Sequence, residues 1–243
     1  MTTDFWAALR GTTPARIGLG RVGTGLTTTA VLESATAHAL ARDAVHLPLD
    51  IPVLVTELET LGLGTPAVVA SAARDRATYL TRPDLGRRPG GPLPDPPAER
   101  TDLAILLADG LSARAVAAHA VPLLRELLPL LDAGAVVAPP VLATQGRVAL
   151  GDHVGQALHA GLVLVLIGER PGLSSHDSLG AYLTWDPQPG VLDSARNCVS
   201  NIRPPHGLDH ATAARTIAAL IVGARRLGGT GVRLKAGGRE VPT

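Results

Sequence analysis

Two short, continuous apolar runs place the strongest constraint on the fold. They read DLAILLAD over residues 102–109 and GLVLVLIG over residues 161–168. Each run is too short to cross a bilayer and has the length of a strand that is buried on both faces. Because such strands occur in sheets that helices cover, helical patterns should lie between and beside them.

Helical patterns are found in these places. Ser112 is expected to cap a helix over residues 113–134, which Pro122 should kink or divide. Asp152 is expected to cap a helix over residues 153–161. Together with further short strands in GAVVAPPVLAT and GRVAL, and a final helix in LDHATAARTIAALIVGARRLGG, this alternation predicts an α/β fold. We expect a mostly parallel, Rossmann-like sheet with helices on both faces.

The first third of the chain has a different pattern. Residues 27–45 and 50–62 predict helices, and Thr65-Pro66 predicts the start of a third helix over residues 67–77. Six prolines and three glycines follow between Pro83 and Pro97, a composition typical of a linker. The predicted organisation is a helical N-terminal region with a glycine loop (1–82), a Pro/Gly-rich linker (83–100) and an α/β domain (101–243).

The glycine loop RIGLGRVGTG has the G-x-G-x-x-G spacing at Gly18, Gly20 and Gly23. In dinucleotide-binding proteins this motif follows a buried strand, opens a helix and is followed by an acidic residue about 20 positions later. Here LRGTTPAR precedes it and Asp43 lies in a helical pattern, which favours a plain glycine-rich loop. A free-standing nucleotide-binding oxidoreductase is kept as an alternative.

Charge and composition exclude several classes of partner. The chain has 22 basic and 21 acidic residues and five aromatic ones, which argues against a nucleic-acid partner. We expect no membrane span and no signal peptide, because MTTDFWAALRG has no continuous apolar core. A single cysteine excludes an internal disulfide framework and suits a reducing compartment, so a cytoplasmic protein is predicted.

Ligands of open α/β sheets bind beyond the carboxyl ends of the strands, so the loops ADGLS and GERPGLSSHDSLG are the candidate site. Glu169 directly follows the second apolar run, where its carboxylate can accept hydrogen bonds from a ligand or pair with Arg170. Cys198 has no activating histidine nearby in sequence, and His206 and His210 do not form a metal motif. We therefore expect no catalytic residue and no metal site.

Several long segments resemble the small subunit (light chain) of ethanolamine ammonia-lyase. They are RIGLGRVGTG, LARDAV, YLTRPDLGRR, ADGLSARAV, GRVALGDHVGQAL, LIGERPGLSSHDSLGAYLTWDPQPG and RNCVSNI, in this order from about Arg16 to the final helix. The resemblance implies a hetero-oligomer with a larger, barrel-shaped subunit that holds the substrate site. This enzyme converts ethanolamine to acetaldehyde and ammonia by the radical chemistry of adenosylcobalamin.

The resemblance also implies the residues that contact the cofactor: Val148, Glu169 and Cys198, with Arg147 as a further donor. No D-x-H-x-x-G pattern is present, which agrees with a base-on cofactor that keeps its own dimethylbenzimidazole on cobalt. A location within an ethanolamine-utilisation microcompartment is left open. A non-catalytic assembly scaffold, which meets the large subunit without contacting cobalamin, is the second alternative.

Overall fold

A computed structural model describes residues 5–13 and 15–235 and the backbone of residues 239–240. The helices are α1 (Ala7–Arg10), α2 (Thr28–His46), α3 (Ile51–Glu59), α4 (Arg76–Thr81), α5 (Ala113–Leu127), α6 (Leu150–Ala157) and α7 (His210–Leu227). The strands are β1 (Arg21–Val22), β2 (Gly25–Leu26), β3 (Ala67–Ala70), β4 (Thr101–Ala108), β5 (Val141–Thr144), β6 (Ala160–Gly168), β7 (Leu179–Trp185), β8 (Arg196–Ile202), β9 (Leu234–Lys235) and β10 (Arg239–Glu240). No helix in the described part of the chain is long and apolar enough to cross a membrane.

Six strands form one mixed sheet in the order β3-β5-β4-β6-β7-β8. The pairs β3–β5, β5–β4 and β4–β6 are parallel, whereas β6–β7 and β7–β8 are antiparallel. The two apolar runs form β4 and β6, and these central strands pair over seven residues. The carboxyl ends of β5, β4 and β6 therefore lie side by side at one edge of the sheet.

The two faces of the sheet carry different side chains and different helices. Alternate residues of β4 and β6, such as Ile105 and Leu164, pack against α3, α5 and α7. The intervening residues, such as Leu106 and Val165, pack against α6. Burial of both faces explains why these strands lack polar alternation. The structure is thus α/β with a mixed sheet, and the Rossmann-like description stays a prediction.

The helix predicted over residues 67–77 is wrong. Residues 67–70 form the edge strand β3, which pairs in register with β5, and a short helix begins only at Arg76. The pairing with β5 outweighs the local Thr-Pro signal for a helix start. Because β3 comes from the predicted N-terminal region, that region contributes a strand to the main sheet. The predicted domain boundaries themselves stay a prediction.

The segment GRVAL does not form the predicted strand. It is a turn that leads into α6, and α6 starts at Leu150 with Ala149 as its N-cap, so the predicted strand and the cap at Asp152 are both wrong. Asp152 lies in the first turn and pairs with Arg196 instead. Pro122 lies inside α5 without dividing it. The predicted cap at Ser112 is confirmed, since its side chain accepts an amide hydrogen bond. Asp209, which was not predicted as a cap, accepts one at the start of α7.

The glycine loop forms a small hairpin. Among the described strands β1 and β2 pair only with each other, Gly23 lies in their turn with φ of 62°, and α2 begins at Thr28. At Gly18 φ is 57°, and an added Cβ would lie 2.1 Å from Cγ of Trp6. The loop therefore lacks the strand-to-helix context that pyrophosphate binding requires.

Candidate functional site

A cavity of about 580 Å³ opens at the carboxyl edge of the central strands, on the face that carries α6. Three loops form it, and they follow β4, β5 and β6, as expected for a ligand site in an α/β sheet. Gly110 and Leu111 come from the first loop, Arg147 and Val148 from the second, and Glu169 from the third. Side chains of β7 and β8 complete the remaining wall, among them those of Tyr182, Arg196 and Cys198.

The loops after β4 and β6 meet through close backbone contact. The amide of Leu111 donates to the carbonyl of Gly168 over 2.9 Å. Gly110 has φ of 55°, and an added Cβ there would lie 2.3 Å from the Gly168 carbonyl oxygen. A glycine is required at this position both for the left-handed conformation and for the approach of the two loops.

Glu169 is half-buried at the rim of the cavity and its carboxylate has a fixed position. Its amide donates to the carbonyl of Ser178 over 2.9 Å, which continues the β6–β7 pairing by one residue. The carboxylate accepts hydrogen bonds from the hydroxyls of Ser178 and Ser200, both at 2.5 Å. No pairing with Arg170 is present among the described ion pairs, so the alternative in which Arg170 neutralises Glu169 is not supported.

Cys198 and Tyr182 lie opposite each other on β8 and β7, so their side chains are neighbours on one face of the sheet. The Cys198 thiol is accessible from the cavity, yet partial desolvation raises its pKa. Desolvation also raises the pKa of Tyr182, and the neighbouring thiol adds to that rise. Both groups are therefore neutral near pH 7, so Cys198 offers a soft contact surface rather than a thiolate nucleophile.

The turn that carries Arg147 and Val148 is held by a buried carboxylate. Asp109 accepts hydrogen bonds from the amides of Gln145 and Gly146 at 2.9 and 3.0 Å. Burial raises the pKa of Asp109, and these two amides together with Arg76 partly offset the rise. Asp109 thus links the end of β4 to the turn after β5, which fixes where Val148 enters the cavity.

Tyr79 lies between two guanidinium groups at the side of the cavity. Arg76 and Arg147 approach its ring centroid to 4.7 and 4.5 Å. The Tyr79 hydroxyl donates to the carbonyl of Gly146 over 3.1 Å, and burial raises its pKa to about 12. The Arg147 guanidinium donates to the Tyr79 carbonyl, while its Nε is buried without a hydrogen-bond partner among the described residues. The Nε–H group of Arg147 is therefore a donor without an acceptor at the side of the cavity.

The three site residues that we predicted, Val148, Glu169 and Cys198, all line this one cavity, and so does Arg147. They come from a turn, a strand end and a strand that are far apart in sequence. Sequence reasoning missed Tyr79, for which no local signal exists. It also did not single out Asp109, although a carboxylate that ends a buried strand and precedes Gly110 is a usable signal.

Two other predicted groups lie elsewhere. His210 is at the start of α7, where its Nε2 lies 3.2 Å from Nδ1 of His119, and His206 is in the preceding loop. Within residues 5–13 and 15–235 no cluster of three or more metal-ligating side chains is found. The cavity can accept and donate hydrogen bonds and provide apolar contact, but it pairs no nucleophile with a base.

Comparison with known proteins identifies the family. The family model "Ethanolamine ammonia-lyase light chain (EutC)" matches residues 3–235. Three similar relatives are each named ethanolamine ammonia-lyase small subunit. The one from Rhodococcus erythropolis is 51% identical over 96% of this chain and 90% of its own length. Those from Ralstonia nicotianae and Azotobacter vinelandii are 50% and 52% identical, over 100% and 96% of this chain and 92% and 89% of their lengths. The chain therefore belongs to the family of ethanolamine ammonia-lyase light chains, the small subunits of that ammonia-lyase.

Proposed function

We propose that the cavity of this small subunit binds part of a base-on adenosylcobalamin, at the interface with a large subunit that holds the ethanolamine site. The carrying observation is that Val148, Glu169 and Cys198, which come from three separate segments, line one cavity. The resemblance selects these residues from sequence segments alone, without any spatial relation between them. Their meeting at the carboxyl edge of the sheet supports a shared ligand.

The chemistry of the lining fits a corrinoid. The rim of a corrin ring carries amide side chains, and the Glu169 carboxylate can accept hydrogen bonds from their N–H groups. The buried Nε–H of Arg147 has no acceptor among the described residues, and an amide carbonyl could supply one. Val148 and Ile167 provide apolar surface beside these polar groups. A cavity of about 580 Å³ suits a drug-sized ligand, and a corrinoid with its nucleotide tail is larger. Part of the ligand must then lie outside this chain, which supports a position between two subunits.

Adenosylcobalamin, when bound, supplies the radical that the conversion of ethanolamine to acetaldehyde and ammonia requires. The residues of this chain hold and orient it. Glu169 would hold one side of the ligand by accepting a hydrogen bond, Val148, Cys198 and Tyr182 would provide packing surface, and the loops would exclude water from that side. None of these residues needs to move a proton, which agrees with a subunit that lacks its own catalytic set.

The test is an ethanolamine-dependent acetaldehyde assay with adenosylcobalamin, on this chain, on the matching large subunit and on their mixture. We expect activity only in the mixture. Glu169→Ala is expected to weaken cobalamin retention by the mixed complex while subunit association, measured by size-exclusion chromatography, stays intact. Unchanged retention would favour the assembly scaffold.

The oxidoreductase alternative has its own test. We expect no heat of NAD binding to the isolated chain in titration calorimetry, because the glycine loop is a hairpin rather than a strand-to-helix turn. Tight binding that Gly20→Ala abolishes would overturn this proposal. A cytoplasmic location, with packaging in a microcompartment left open, stays part of the proposal and is tested by fractionation of cells that express the complex.

A further inference from the structure

The carboxylate of Glu169 receives three hydrogen bonds from the described residues. Ser178 donates its hydroxyl to Oε2 over 2.5 Å, and Ser200 donates its hydroxyl to Oε1 over 2.5 Å. The amide of Asn201 also donates to Oε2, over 3.2 Å. The donors come from two sides, one just before β7 and two within β8, so the carboxylate cannot rotate without losing at least one of them.

An irregularity in the sheet aims two of these donors. Between β7 and β8 the register shifts, so that Ser200 and Asn201 together lie opposite Gly180. Asn201 has φ of 59°, a conformation that asparagine tolerates better than most residues. This is a β-bulge, a device that redirects side chains and is frequent beside functional sites. It turns both the Ser200 hydroxyl and the Asn201 amide toward Glu169.

Gly180 leaves the space that the carboxylate occupies. An added Cβ at Gly180 would lie 3.0 Å from Oε1 and 3.2 Å from Cγ of Glu169. The bulge on β8 and the absence of a side chain at Gly180 on β7 therefore both help to position the Glu169 carboxylate. Such an arrangement is more than is needed to satisfy a rim carboxylate, since water would satisfy an exposed one.

The count of lone pairs shows what remains for a ligand. An ionised carboxylate has about four lone-pair positions, two on each oxygen. Oε2 uses both of its positions on Ser178 and Asn201, and Oε1 uses one on Ser200. Within the part of the chain that the structure describes, one acceptor position is left, on Oε1. A bidentate guanidinium would need both oxygens, so the open position suits one N–H donor.

Resting on the proposed function, we propose that Ser178 and Ser200 are positioning residues that leave Glu169 a single open acceptor, at Oε1, for one primary amide on the rim of the corrinoid. The two serines act through Glu169 and do not touch the ligand in this role. Their effect on affinity must then vanish when Glu169 is absent.

The test is a thermodynamic cycle on the complex with the large subunit, titrated with cyanocobalamin and followed by absorbance. Ser200→Ala and Ser178→Ala are each expected to weaken binding roughly three- to tenfold, the effect of one hydrogen bond. Ser200→Thr, which keeps the hydroxyl, should restore affinity, and Ser174→Ala, in the same loop as Ser178, should have no effect. In a Glu169→Ala background, Ser200→Ala should cause no further loss.

The outcomes separate the two proposals. If the unmodified complex does not bind cyanocobalamin, the proposed function fails. If it binds and Glu169→Ala weakens binding, but Ser200→Ala has no effect or the same effect in both backgrounds, only the positioning role is overturned. Thermal unfolding of each variant complex shows whether a loss comes from the fold instead.

A second measurement tests the class of donor. Cobalamin derivatives in which one rim amide is hydrolysed to a carboxylate replace an N–H donor with a negative charge. One such derivative should bind markedly more weakly than cyanocobalamin to the unmodified complex, and Glu169→Gln should recover its binding, because the glutamine amide can donate. Equal affinity for every monocarboxylate would contradict the proposal.

Discussion

The guanidinium of Arg196 holds the carboxylate of Asp152 in a two-pronged ion pair beneath the cavity. Nη1 lies 2.6 Å from Oδ1 and Nη2 lies 2.7 Å from Oδ2, and the side chains are 2% and 1% exposed. Arg196 also donates to the hydroxyl of Thr184 and the carbonyl of Val191. The pair joins the first turn of α6 to the edge strand β8, so it fixes the two sides of the cavity relative to each other.

Asp152→Asn is expected to lower the free energy of unfolding by about 3–5 kcal/mol, because it leaves the buried charge of Arg196 with only the exposed Asp193 as an ion-pair partner. Denaturation by urea, followed by circular dichroism, measures this loss. The control is Asp95→Asn at an exposed position, which should change stability by less than about 0.5 kcal/mol. Equal stability of the two variants would mean that the buried pair contributes nothing.

The contact between His119 and His210 predicts a dependence of stability on pH. Burial lowers the pKa of both imidazoles below the ordinary value of 6.5, and each ring is close to other charged groups. Facing His119 are Asp177 and Arg203, and facing His210 are Asp209 and Glu126. Between the lowered pKa values and 6.5 the unfolded chain binds more protons than the folded chain. Stability is therefore complete above pH 6.5 and is lost as the pH falls through the folded pKa values.

The measurement is the urea midpoint at a series of pH values for the unmodified chain and for His210→Gln. We expect the variant to lose less stability on acidification, since one of the two titrating rings is gone. His46→Gln, at an exposed position on α2, serves as the matched control and should keep the original dependence. Parallel curves for all three chains would rule out a role for this pair.

Gly168→Ala should destabilise the chain by about 3 kcal/mol or more, because the new Cβ would lie 2.0 Å from the carbonyl oxygen of Ser112. The backbone would have to shift at the residue that precedes Glu169. Gly134→Ala is the control, since an added Cβ there meets no atom within 4 Å. Thermal and urea unfolding of both variants test the prediction, which is wrong if Gly168→Ala is as stable as Gly134→Ala.

Cys198 is the single cysteine of the chain, so its alkylation can be followed without interference. Because desolvation raises the pKa of its thiol, the rate of reaction with iodoacetamide should rise at higher pH in the folded chain than in the denatured chain. The Tyr182 hydroxyl opposes this rise, so Tyr182→Phe should move the profile further upward. A native profile at or below the denatured one would contradict the assigned environment.

Local patterns located those parts of the fold in which one segment determines its own structure. The apolar runs became β4 and β6, Ser112 capped α5, and Glu169 came to the rim because it follows β6. Each of these depends on burial or on a cap that residues nearby in sequence provide. The position of Glu169 could therefore be predicted from the strand that precedes it.

Contacts between segments that are distant in sequence could not be predicted from local patterns. Residues 67–70 form a strand because they pair with β5, and no residue near Thr65-Pro66 indicates that pairing. The sequence around Asp152 predicts a helix cap, whereas in the fold its carboxylate pairs with Arg196, which is distant along the chain. Two of the three donors around Glu169, Ser200 and Asn201, likewise depend on a register shift between β7 and β8, which only the folded sheet reveals.

The edge strand β3 has a consequence for synthesis of the chain. Within the described residues, β3 pairs in the sheet only with β5, and Ala67 finds its partner at Val141. At roughly 5–20 residues per second on the ribosome, the segment emerges several seconds before its partner does. During this interval residues 67–70 lack their partner in the sheet and their backbone is hydrogen-bonded to water, and β4 reaches the tunnel exit before β5. The N-terminal part of the nascent chain must therefore wait for the α/β part before either is complete.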